Sequence, residues 1–131
     1  MKHLFTPYPL AILAKEKGFD EPCLAYWEVH KHDQCIVYWK KPWDDKRITN
    51  SFLDSINAPI YQQIVDWFRE KHGIYISVGI DQYINKMLVD YTINKEDTGE
   101  KFGFMHIKRE SGIEDYYQAI DKAIEEAFKL I

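Results

Sequence analysis

The chain has 131 residues, 46% hydrophobic and 29% charged, with 21 acidic against 17 basic side chains and a formal charge of −4. A chain of this length and balance can bury a core without staples, which excludes wholesale disorder, and its negative sum argues against phosphate-backbone binding as the main task. Two cysteines make no disulfide framework, and neither a secretory leader nor a long apolar run is present, so the expectation is a single cytoplasmic domain over 1–131 with no membrane contact.

In chain order, Pro7 or Pro9 opens a first helix that ends at Gly18, with Leu10, Ile12, Leu13 and Ala14 on its apolar side. Phe19-Asp-Glu-Pro22 reads as a turn. Two strands follow, Cys23 to Val29 and Gln34 to Trp39, joined by His30-Lys-His-Asp33. Cys23, Ala25, Trp27 and Val29 share one face, yet the opposite face is also rather apolar. Such a sheet is either covered twice or presents aromatics to a partner. Lys40 to Ile56 is a long connection for a compact domain and is expected to carry function, to move, or to hide a short helix around Asn50 to Ser55.

The best punctuated stretch is Asn57 to Ile80. Asn57 or Ala58 caps a helix, Pro59 sits in its first turn, and Gly73 stops it. Ile60, Tyr61, Ile64, Trp67 and Phe68 form its apolar stripe. Ile74, Ile76, Val78 and Ile80 then alternate with Tyr75, Ser77, Gly79 and Asp81, the period of a strand with one buried face. The contact of this helix with this strand is the expected centre of the core.

Asp81-Gln82 reads as a tight turn, and Tyr83 to Asn94 as a strand with Met87, Val89, Tyr91 and Ile93 on one side. Lys95 to Lys101 is a polar loop, and Phe102 to Lys108 returns. Ser111-Gly-Ile-Glu114 fits a capping box for a last helix whose stripe runs from Ile113, Tyr116 and Tyr117 through Ile120, Ala123, Ile124, Ala127 and Phe128 to Ile131. The short connections favour antiparallel pairing. The expected fold is therefore α+β, of order α-β-β-α-β-β-β-α, a mainly antiparallel sheet of about five strands with three helices on one face.

Three stretches, Leu13 to Cys23, Ala58 to Gly73 and Tyr117 to Ile131, together resemble small proteins encoded in bacteriophage and prophage regions. The resemblance implies a phage-associated, intracellular setting. It implies no activity, cofactor or catalytic residue.

Cys23, His30, His32 and Cys35 are the residue types that ligate zinc, and two histidines one residue apart on a strand point the same way. Their spacing matches no standard ligand pattern, so burial of the cysteines as small apolar groups and solvated turn histidines are the expectation. A metal-dependent enzyme using His30 and His32 is the alternative, with no metal site and no cofactor in the leading reading. The central helix and its strand also echo a winged-helix DNA-binding module, but the exposed side of that helix mixes Gln, Asp, Glu, Arg and Lys instead of a basic stripe.

The aromatics carry the leading functional expectation. Tyr26, Tyr38, Trp39, Trp43, Tyr75 and Tyr91 lie on or beside proposed strands, and interface cores are enriched in such side chains. The expected function is non-enzymatic binding of a protein partner through an aromatic-rich sheet face, with Trp43 as a loop anchor beside it.

Overall fold

The computed structural model describes residues 2–30, 33–38, 55–83, 86–97 and 103–131. After a 3-10 turn at Lys2–Leu4 come α1 (Tyr8–Glu16), β1 (Ala25–His30), β2 (Asp33–Tyr38), β3 (Ser55–Asn57) and α2 (Tyr61–His72). They are followed by β4 (Ile74–Tyr83), β5 (Lys86–Asp97), β6 (Gly103–Ile113) and α3 (Tyr116–Phe128). The fold is α+β and antiparallel, as the alternation and short connections require. It has six strands where five were expected, and they form two sheets, β2-β1-β3 and β4-β5-β6. The chain makes two compact units, Met1–Ile64 and Val65–Ile131.

In the first unit, Pro7 stands at the N-cap of α1 and Gly18, at φ 91°, ends it. The Phe19 N–H donates to the Ala14 carbonyl, 2.9 Å, so the chain doubles back and Phe19 is buried instead of forming an open turn. The next carbonyls are taken by side chains: Asn57 Nδ2 donates to Glu21 O and Gln63 Nε2 to Pro22 O, at 3.2 and 2.9 Å. The Cys23 thiol also points to Glu21 O, 3.5 Å. These bonds hold 21–23 outside the ladder, which is why β1 begins at Ala25 and not at Cys23.

The strand missed by the periodicity is β3, which adds to β1 through Tyr26↔Asn57, Trp27↔Ile56 and Glu28↔Ser55. Ala58 N–H continues that pairing to Ala25 O, and Thr6 N–H reaches Pro59 O, both 2.9 Å. Asn57 and Ala58 thereby belong to the pairing with β1 and lie too far before Tyr61 to cap the helix. α2 starts instead at Tyr61, where the Gln63 side chain accepts from the Ile60 N–H, 3.1 Å. Trp27 centres the core of this unit with Phe5, Ala11, Ala25 and Ala58. Tyr8, Ile36, Ile56 and Ile60 close over it.

In the second unit Gly73, at φ 61°, turns α2 into β4, and Glu96 N–H donates to its carbonyl, 2.8 Å. The β4–β5 ladder runs from Ile74↔Lys95 to Tyr83↔Lys86, straight through the expected turn at Asp81-Gln82. β6 is likewise longer than expected, and Ile113 pairs with Val89. Because the ladder claims Ser111 to Ile113, the cap of α3 moves to Asp115, whose carboxylate accepts from the Gln118 N–H, 2.8 Å. The helix over β4 and β5 is α3, not α2. Ala119, Ile120, Ala123, Ile124 and Ala127 are buried, as are Ile74, Ile76, Val89, Tyr91 and Ile93 of the sheet. Each large aliphatic removed from water contributes roughly 1.5–3 kcal/mol. α2 contributes its last turns, where the rings of Phe68 and Trp67 lie 4.8 and 6.3 Å from that of Phe128.

Candidate functional site

The expected aromatic set does not form one surface. Tyr26 is half-buried in the first sheet, at the register of Val37 and Asn57, and the Tyr38 backbone pairs with Ala25. Trp39, Trp43 and most of Lys40 to Ile56, with the helix expected around Asn50, lie outside the described residues. Tyr75 and Tyr91 belong to the second sheet and to opposite faces of it, because Tyr75 pairs with Asn94 and Tyr91 with Val78. Tyr91 is fully buried and so drops out of any docking surface. Its period-2 neighbours Val89 and Ile93 are core residues, and the same face buries the tyrosine.

A polar chain accounts for the Tyr91 hydroxyl, which donates to Glu110 Oε2, 2.8 Å, while Lys122 Nζ donates to Glu110 Oε1, 3.1 Å. The hydroxyl bond, then the Lys122 ammonium, holds the Glu110 carboxyl below the usual carboxylate range. Burial, then the bond to Glu110, holds the phenol above its ordinary value. This chain anchors α3 to β5 and β6, and Lys108 Nζ to Glu126 Oε2, 3.0 Å, adds a second tie between β6 and α3.

The other face of the second sheet is polar. Tyr75 donates its hydroxyl to Glu96, 2.6 Å, His106 Nδ1 lies 3.2 Å from Asn94 Oδ1, and Arg109 Nη2 lies 2.8 Å from Asp90 Oδ2. Gly79 leaves the space that Asp90 fills, since a Cβ there would meet Asp90 Oδ1 at 2.7 Å. Among the described residues no group of three or more His, Cys, Asp or Glu side chains is placed to hold a metal ion. His32 and the His30 side chain lie outside that description. Burial, then the nearby Glu21, pushes the Cys23 thiol up to about 12, which suits a small apolar filler and not a nucleophile. Among the described residues no helix is long and apolar enough to cross a membrane.

Among the described residues, His72 has a buried side-chain nitrogen with no hydrogen-bond partner, Nε2, and its ring packs edge-on against Trp67 at 4.6 Å. Burial first, and Lys95 second, hold its pKa below the ordinary 6.5. The unfolded chain therefore binds the proton more readily than the folded one. Stability should fall as pH drops through about 6.5 and level off above it. Comparing melting temperatures of wild type and His72→Leu from pH ~5 to ~7.5 checks this, with a shallower slope expected for the variant. Parallel slopes would remove His72 from the account.

What remains is the open end of the apolar face. α3 has thirteen residues and so spans about 20 Å, whereas the ten residues of β4 span roughly 33 Å. The helix starts just after Ile113, level with Val89, and the β4–β5 hairpin runs on past it. Ile80 and Met87 lie on this overhang, on the face that buries Ile76 and Val89, and they are 62% and 67% exposed. The Lys86–Glu114 ion pair, 3.4 Å, joins the hairpin end to the residues that open α3. There Tyr116 and Tyr117 stack edge to face at 5.7 Å, both exposed.

The sequence pattern placed all four side chains in the core. Periodicity assigns a face but not how far the covering element reaches. What decides the exposure is length, a ten-residue strand against a helix that a cap at Asp115 keeps short. Comparison with protein-family models, curated proteins and solved structures finds no match for this chain.

Proposed function

We propose that the protein is a non-enzymatic binding module, acting in the phage-associated setting that the resemblance implies, and that it holds a protein partner by the overhang of the second sheet. The observation that supports this is the exposure of Ile80 and Met87, diagonal neighbours at one end of the face that buries Ile76, Val89, Tyr91 and Ile93. Scattered exposed apolar residues are ordinary, but adjacent ones that continue a core face mark a surface awaiting cover. Methionine also adapts its shape to a partner better than a branched side chain does. On the face opposite, Tyr75, His106 and Arg109 are already engaged with Glu96, Asn94 and Asp90, which favours the overhang as the docking end.

The partner chemistry that fits is an apolar protein surface with a cationic or polar rim, because Glu114 and Asp115 border the overhang. Affinity capture from phage-carrying cells tests the reading when wild type is compared with Met87→Glu. Burying a methionine side chain is worth about 1.5–3 kcal/mol, so the variant should bind about 10- to 100-fold more weakly. Its melting temperature should match wild type, since the side chain is already in water. Equal recovery of the same partner by both proteins would overturn the proposal.

A further inference from the structure

The two edges of the second sheet differ. β6 has two register irregularities against β5 and carries His106, Lys108, Arg109 and Glu110, the features that keep an edge from pairing with another chain. β4 lacks the irregularities and has a single charged side chain. Its ten residues, Ile74-Tyr-Ile-Ser-Val-Gly-Ile-Asp-Gln-Tyr83, pair with β5 in unbroken register and include no proline, no lysine and one charged residue. Among the described strands, β4 pairs with β5 alone.

We propose that β4 is the interface of a twofold homodimer, in which two copies of the strand pair antiparallel about Val78 and join their sheets into one of six strands. The strand is complementary to itself in this register. Val78 meets its own copy, and Ile76 stands opposite the second copy's residue 80, so the exposed Ile80 gains an apolar cross-strand neighbour. Ser77 stands opposite Gly79, which has no side chain to crowd it. Asp81 stands opposite Tyr75 rather than its own copy, so no like charges face each other. A slip of one residue, which sets Val78 opposite the second copy's residue 79, would pair even positions with odd ones and join the apolar side of one sheet to the polar side of the other. The inference goes beyond the proposed partner site, because it rests on the edge of β4 and on main-chain pairing, while Met87 stands one strand further in.

Light scattering over ~1–100 μM should give a mass twice that of one chain for the wild-type protein. Ser77→Glu should shift the equilibrium to monomer by about tenfold or more, since it sets two acids diagonally across the twofold axis and towards the second copy's Asp90. Ser77 is exposed, so the melting temperature of that variant at monomeric concentration serves as the control for folding. Val78→Cys, treated with copper–phenanthroline, should yield a cross-linked dimer above the level of wild type treated alike, because residue 78 alone faces itself. A wild-type protein that is monomeric throughout, a dimer that Ser77→Glu leaves intact, or a Val78→Cys protein that does not cross-link would each overturn the proposal. A monomeric result would leave the Met87 capture experiment unaffected, so the two readings fail separately.

Discussion

Replacing Phe128 by alanine should lower the unfolding free energy by about 3–5 kcal/mol. Its ring is buried at the last turn of α3, where it closes the end of the helix against Phe68 at 4.8 Å and Trp67 at 6.3 Å. The rings of Trp67 and Phe68 also meet at 5.2 Å, so the three aromatics form one cluster. Truncation removes the transfer energy of the ring and leaves a cavity that its two rigid neighbours cannot collapse into. A loss of this size is a large fraction of the 5–15 kcal/mol typical of a domain, so the midpoint of urea unfolding should move clearly. Phe128→Leu should recover most of it. A cost under about 1 kcal/mol for Phe128→Ala would mean that α3 is not held where described.

Trp27→Ala should be comparably severe in the first unit, about 3–5 kcal/mol, for a partly different reason. The indole fills the space between Phe5, Ala11 and Ala58, meets Tyr8 edge-on at 6.1 Å, and donates Nε1–H to the Thr6 carbonyl at 3.1 Å. That carbonyl belongs to a buried residue, so losing the indole costs a hydrogen bond as well as apolar area. Trp27→Phe separates the two contributions. It keeps most of the volume and should cost about 1–3 kcal/mol, the range for a buried acceptor left unpaired. Equal losses for the alanine and phenylalanine variants would show that packing around the indole contributes little.

Which parts of this structure the chain announced follows from the range of the interactions involved. Alternation in Ile74 to Ile80 and helical spacing in Ile120 to Phe128 are local signals, and both elements formed with the expected faces. Gly18 and Gly73 stopped their helices, as residues able to take positive φ do. The misses arose where a distant partner outbid a local preference. Ser55–Asn57 became a strand because β1 offers it a free edge, and this moved the start of α2. Ser111 to Ile113 went to β6 because Val89 was there to pair with, and this moved the cap of α3 to Asp115. Division of the strands into two sheets is a statement about pairing partners, which no single run of residues encodes.

The same limit governed the functional reading. Tyrosine density near strands counted Tyr91 with Tyr75, although two strands of known register put one inside and one outside. The overhang depends on the relative lengths of β4 and α3, a property of two elements together. Met87 looked like one more member of an apolar row until the helix that should cover it was seen to begin too late.

The central claim is that this overhang is where the protein binds, and methionine oxidation tests it with a control in the same chain. Met87 and Met105 are 67% and 53% exposed, so dilute hydrogen peroxide should oxidise both in the isolated protein. With the captured partner bound at the same protein concentration, mass spectrometry should find Met87 oxidation slowed several-fold and Met105 oxidation unchanged. Unchanged oxidation of Met87 in the complex would contradict the account.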